Sequence, residues 1–193
     1  MSELITVGSY GFRRNNVYYF NDTIFQNFTS FRRGFIQKRI HYPNDPILLV
    51  INSRGGTAWI NYEVPELMNK GIITLGFELV ASAAVDFLQV GVTRYSHPST
   101  KYFLHSTTLD RRRVTEDDIK QGIGLIPPDD PLAMKLGKSA EEIREAYKED
   151  TWLNSKQALE TSIVDEIVDI PDKLETKLRQ TPKGTIGFLK PNY

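Results

Sequence analysis

Apolar residues along this chain fall into short unbroken runs separated by stretches of looser, helix-like spacing. Ile47–Ile51 (ILLVI) is a continuous apolar run closed by turn residues at both ends. Such a run predicts a strand buried on both faces, as in a parallel sheet. Val17–Phe20 and Ile72–Leu75 read as further short buried strands, and Lys101–Leu104 as one leading into His105. Between them, Asn21–Arg39 places Ile24, Phe28, Phe31, Phe35 and Ile36 at spacings near four and seven. That predicts an amphipathic helix with Asp22 or Thr23 as its cap. Pro43–Pro46 is a turn. A helix is expected over Asn61–Asn69, entered near Pro65, and a buried one over Ala81–Gly91 ending at its glycine. Strand and helix thus alternate at close spacing, so the class is α/β with a largely parallel sheet.

The pattern changes from Arg111 onward. RRRVTEDDIKQ is charged, and IPPDDP carries Pro127, Pro128 and Pro131, which interrupt any long helix. Ser139–Tyr147 reads as a helix with Ser139 and Glu142 as a capping box, and Ser155–Glu160 as another short helix. Ile163–Val168 is expected to be the final strand. After Pro171 a short helix over Lys173–Leu178 leads into a Pro- and Gly-containing end, expected to be flexible or to pack on a neighbour. Residues 1–16 are polar and read as a loosely held arm. The expected organisation is an arm (1–16), one domain (17–170) and a tail (171–193).

Composition narrows the chemistry. The 24 Lys and Arg residues balance the 24 Asp and Glu residues, so net charge gives no electrostatic case for nucleic acid or an anionic membrane. There is no cysteine, which removes disulfides, thiolate metal sites and a Cys nucleophile. The N-terminal stretch lacks a long apolar run, and no segment approaches the roughly 20 apolar residues of a membrane helix. The expectation is a cytoplasmic protein. The three histidines lack the close spacing of a metal site, and no phosphate-binding glycine motif occurs, so neither metal nor cofactor is expected.

Among the histidines, His41 and His97 read as surface-loop residues, whereas His105 ends a core strand, where parallel sheets present functional groups. Gly55-Gly56 serves equally as a tight turn or as a loop whose amides approach a substrate. Ser82, near the start of an apolar helix, serves as a cap, a packing residue or a nucleophile at the positive end of the helix dipole. Read from the residues alone, Asp150 stands no higher than Asp86, Asp110 or Asp165 as a partner for a histidine.

These segments together resemble the ClpP-type serine peptidases. NSRGGTA (residues 52–58) is similar to the NSPGG segment of that family, and VASAAVDFLQVG to its nucleophile segment. YFLH, ending at His105, is similar to the strand that delivers its histidine. LGKSAEEIREAYKEDTWLNSKQALETSIVDEI is similar to its C-terminal segment. The resemblance covers about residues 17–170 and implies a ClpP/crotonase-like fold of repeated β-β-α units in a single domain. It implies Ser82 as nucleophile, His105 as general base and Asp150 as the residue orienting the imidazole. The amides of Gly56 and Ala83 would be the oxyanion donors, and Gly55 to Ala58 would hold an extended peptide. It further implies an endopeptidase acting on peptides or unfolded proteins, assembled as a homo-oligomeric, heptameric ring, with a Clp-type AAA+ ATPase as partner.

The chain departs from that pattern in several places. Ala83-Ala84 stands where the family has Met-Gly, and Arg54 replaces the proline of NSPGG, adding a charge beside the expected substrate strand. Residues 106–138, with Gly122, Gly124 and the prolines, replace the long helix by which the family's rings stack. Two other readings follow: a catalytically inactive ClpP-like ring or scaffold subunit, and a crotonase-type acyl-CoA enzyme using the same amide pair.

Overall fold

The computed structural model describes residues 4–21, 23–24, 27–56, 67, 71–105, 108–109, 112–113, 115–117 and 131–188. An eight-stranded sheet forms its centre. Strands β3 (Val17–Asn21), β4 (Ile47–Ser53) and β5 (Ile72–Ala81) run parallel side by side. β5 pairs in parallel with both β6 (Thr93–Ser96) and β7 (Lys101–Leu104), at different parts of its length. β10 (Thr151–Asn154) is antiparallel to β7, β11 (Glu166–Ile167) lies parallel to β6, and β12 (Thr185–Phe188) is antiparallel to β3. Two hairpins stand apart from this sheet: β1 (Leu4–Val7) with β2 (Tyr10–Arg13), and β8 (Thr108–Leu109) with β9 (Arg112–Arg113).

The continuous apolar runs are explained by two cores, one on each face of the sheet. Successive residues of a strand point to opposite faces. Leu49 and Ile51 of β4 join Phe20, Val80 and Tyr102 in a core covered by α1 (Asn27–His41), α2 (Ala83–Leu88), α3 (Pro131–Leu136), α4 (Ala140–Ala146) and α5 (Ser155–Glu160). Its aromatic centre is Phe31 against Phe87, with ring centroids 5.0 Å apart in the edge-to-face arrangement that aromatic quadrupoles favour. Leu48 and Val50 point the other way, into a second core with Phe77, Tyr95 and Val168. That core is closed by Val7 and Phe12 of the first hairpin and by Leu174 and Leu178 of α6 (Asp172–Gln180).

Several local expectations need correcting. The first helix begins at Asn27, not Asn21: Asn21 still belongs to β3, and Ile24 forms a parallel bridge to Gly56. Sheet pairing therefore claims the residues read as the helix start. Residues 4–13, read as a loosely held arm, form a hairpin whose Val7 and Phe12 are fully buried. The strand read over Ile163–Val168 is confined to Glu166–Ile167, because Ile163 and Val164 turn into the first core. Nor is it the last strand, since β12 follows and closes the edge at β3. His97 is not a surface residue; it is 7% exposed, with its ring against Phe77. The capping box of α4 forms as read: Ser139 Oγ accepts from the Glu142 amide at 3.2 Å, and Glu142 accepts from the Ser139 amide at 2.7 Å. The helix read over Asn61–Asn69, apart from Leu67, and Gly122, Gly124, Pro127 and Pro128 lie outside the described residues.

Candidate active site

Two irregularities bend the central strands toward the carboxyl end of the sheet. β5 changes partner at Glu78, whose φ of +60° is costly for a residue bearing a Cβ. Before it the strand pairs with β6; after it, Leu79–Ala81 pair with β7. Beside it, the register of β4 against β5 shifts between Ile51 and Ser53. Asn52, at that shift, donates to the Glu78 carboxylate at 2.8 Å, so the two distortions support each other.

Ser82 directly follows β5, has φ +55° and ψ −132°, and is the cap position of α2. A non-glycine residue holds this conformation only where its surroundings enforce it. Here the Ser82 amide donates to the Phe103 carbonyl of β7 at 2.7 Å, and its carbonyl accepts from Val85 at 2.8 Å. The turn lifts the hydroxyl out of the sheet toward β7. His105, half-buried, follows that strand directly, and its Nε2 lies 2.8 Å from Ser82 Oγ. The structure thus brings together the two residues on which the sequence reading concentrated.

Asp150 is exposed and immediately precedes β10. Thr151 is registered against Leu104, so one further step along both antiparallel strands sets Asp150 opposite His105. Of the other aspartates weighed, Asp165 is held by Arg94, and Asp86 lies within α2. Asp110 lies outside the described residues.

Gly55 and Gly56 follow β4 with φ of +82° and +156°. A Cβ on Gly55 would stand 2.4 Å from the Ala81 carbonyl oxygen and 3.0 Å from the Ala83 amide nitrogen, so this turn rests directly on the serine turn. Ala83 is the first residue of α2, and its amide is among those a helix leaves without an internal acceptor. Ala84, standing where the family has glycine, is fully buried in the first core; its methyl group is packing, away from solvent.

Two residues near the site were not singled out from the sequence. Phe103 stacks on His105 with centroids 5.3 Å apart and an interplanar angle of 25°. Trp152, its cross-strand partner, lies 4.6 Å beyond on the same stack. The available signal was strand alternation, which puts residues 103 and 105 on one face. Among the described residues, no group of three His, Cys, Asp or Glu side chains is placed to hold a metal ion. No helix among them is long and apolar enough to cross a membrane.

A parallel α/β sheet ending in a strained serine, with a histidine from the next strand at hydrogen-bond distance, is the arrangement that the fold and site define. The Clp protease family model matches residues 37–171, and the chain belongs to that family. It is 30% identical over 139 residues to the ATP-dependent Clp protease proteolytic subunit 2 of Tropheryma whipplei, covering 65% of this chain and 74% of that one. It is 28% identical over 137 residues to proteolytic subunit 1 of Bifidobacterium longum, covering 66% and 59%. A solved structure of a ClpP1 point mutant from Listeria monocytogenes superimposes with a TM-score of 0.65 over 83% of this chain and 95% of that one. Their identity is 24%, so this likeness speaks for the fold.

Proposed function

We propose that this chain is a serine endopeptidase that cleaves peptide bonds through Ser82, His105 and Asp150. The observation that carries the reading is the 2.8 Å approach of His105 Nε2 to the oxygen of Ser82. For Ser82 to donate, Nε2 must be the bare nitrogen and Nδ1 must carry the proton; a carboxylate on the far side of the ring holds that tautomer. Asp150 fills this role, supported by its register opposite His105. Ser82 Oγ attacks the substrate carbonyl carbon as its proton passes to Nε2. Negative charge develops on the carbonyl oxygen, and the amides of Gly56 and Ala83 donate to it. The intermediate collapses, His105 protonates the departing amine, and water then releases the acyl group from Ser82 by the same steps in reverse order. The Gly55–Gly56 turn supports a substrate held in extended form by main-chain bonds.

Family membership supports two further parts of the proposal: assembly of several copies into a ring, and work alongside a Clp-type ATPase. The test of the chemistry is labelling with a fluorophosphonate, which traps an activated serine. The wild-type chain is expected to label, Ser82→Ala not at all, and His105→Ala at least about 1,000-fold more slowly. A wild-type chain that fails to label, or labelling that survives Ser82→Ala, would sink the reading.

A further inference from the structure

An open cavity of about 690 Å³ is lined in part by Arg54, Glu78, Leu79, Lys101, Trp152 and Lys183, on segments next to those that carry the serine–histidine pair. Its volume falls within the range of sites that hold a ligand group, roughly 300–1,000 Å³. It crosses the carboxyl ends of the parallel strands, the usual position of sites in such sheets.

Its charge is uneven. The chain as a whole is balanced, at 24 basic and 24 acidic residues. Among the described residues around this cavity stand three cations and one carboxylate, and that carboxylate is already engaged: Glu78 accepts from Arg179 at 2.9 Å and from Asn52 at 2.8 Å. Arg54, Lys101 and Lys183 are all exposed, and none pairs with a carboxylate among the described residues. Trp152 adds an apolar wall and is 58% exposed, unusual for so large a ring.

The cavity is joined to the chemistry through the chain itself. Arg54 directly precedes Gly55, which rests on Ser82. Trp152 is stacked through Phe103 onto His105. An extended peptide advances about 3.3 Å per residue, so a neighbour of the cleaved bond reaches this cavity within a few residues.

We propose that the cavity is a specificity subsite for an acidic side chain, Asp or Glu, of the peptide being cleaved. Its carboxylate sits among Arg54, Lys101 and Lys183, and its aliphatic part lies against Trp152. The assignment rests on the peptidase reading of Ser82, and it narrows the substrate class to peptides acidic near the cleavage point.

The test uses the full chain carrying Ser82→Ala, so that bound peptide is not cleaved, and Trp59→Phe, so that Trp152 alone reports. It is titrated at low salt with two unstructured peptides that differ only by Glu or Gln at positions flanking the cleavage point. The Glu peptide is expected to bind roughly three- to tenfold more tightly and to change Trp152 emission, as a few exposed ion pairs allow. The preference is expected to vanish when Lys101→Glu and Lys183→Glu are added; both lysines are exposed, and an unchanged melting temperature will show the fold intact. Equal binding of the two peptides, binding of neither, or a preference that survives the lysine reversals overturns the subsite. Fluorophosphonate labelling of the wild-type chain reads the peptidase assignment separately, so the two can fail independently.

Discussion

Gly55 and Ser82 are packed so closely that the turns ending β4 and β5 hold each other in place: a Cβ on Gly55 would lie 2.8 Å from the Ser82 Cβ. Gly55 also has φ +82°, which side-chain-bearing residues rarely adopt. Gly55→Ala is therefore expected to push the serine turn away from His105. Fluorophosphonate labelling should slow at least about 100-fold, the scale on which an ångström of misplacement acts. Stability should fall by about 1–3 kcal/mol. Gly34→Ala is the control, since nothing lies within 4 Å of its added methyl and it sits inside α1. That variant should keep its labelling rate and gain about 0.5–1 kcal/mol in thermal unfolding. Equal labelling of the two variants would show that the contact is immaterial to the site.

On the proposed mechanism, Phe103 positions His105 through their stacked rings. Its ring fills the space between the imidazole and Trp152. Its backbone carbonyl, which holds the Ser82 amide at 2.7 Å, is untouched by a side-chain change. Phe103→Ala should lower kcat about tenfold and leave KM nearly unchanged, because the imidazole loses orientation while the substrate strand remains. Phe103→Tyr should restore most of the rate. A Phe103→Ala variant with wild-type kcat would remove the stack from the mechanism.

Arg94 ties the outer strands to the sheet. It is 6% exposed and reaches both oxygens of Asp165, at 3.1 and 2.5 Å, while its backbone amide donates to the same carboxylate at 2.7 Å. Partial burial pushes the Asp165 carboxyl up, but the hydrogen bonds and charge of Arg94 outweigh it and hold the group below its ordinary value. Asp165→Asn should cost about 2 kcal/mol, less than a fully buried pair because the Asp165 side chain is 39% exposed. The depressed carboxyl contributes stability above its unfolded value of 3.8, which is lost as pH falls further. Denaturant unfolding at pH 7 and pH 3 checks this: the gap between wild type and Asp165→Asn should narrow at the lower pH.

His97 is the second group with a readable pH signature. Burial pushes its imidazole below 6.5; the nearby Glu175, Asp169 and Glu78 pull upward and Arg179 downward, without reversing the shift. Its Nδ1 accepts from the Ser99 amide at 3.3 Å, as a neutral ring does. The unfolded chain therefore binds a proton before the folded one, and stability falls as pH drops below about 6.5. Melting temperatures between pH 7.5 and 5 should show this decline, and His97→Gln should flatten it. An unchanged slope in the variant would assign the decline to other groups.

Much of the sheet is readable in the sequence. ILLVI at residues 47–51 has alternate side chains in the two cores, as a strand buried on both faces requires. The box at Ser139 and Glu142 and the helix over Ser155–Glu160 depend on neighbours three or four residues away, so short-range pattern suffices for them. Asn21 fails for the opposite reason. Its local spacing suits a helix, yet its strand pairs with β4, and Asn21 itself is registered against Thr185 of β12, far along the chain. His97 reads as a loop residue because it precedes a proline. Its burial comes from Phe77 and from α6, elements that local spacing does not connect to it.

The same division runs through the site. By itself the sequence indicated the apolar runs of β3, β4, the start of β5 and β7, the glycine turn after β4, a histidine at a strand end and a serine near the start of an apolar helix, since hydrophobic periodicity and turn chemistry act over a few residues. Only the tertiary structure decided that Ser82 and His105, 23 positions apart, stand 2.8 Å from each other. The antiparallel register of β10 on β7 likewise sets Asp150 opposite His105, a placement that local spacing does not express. The tertiary structure also gathered Arg54, Lys101 and Lys183 from three separate segments around one cavity. The physical reason is that strand partners are selected by burial of both faces of the sheet at once, a condition no short segment of the chain can express.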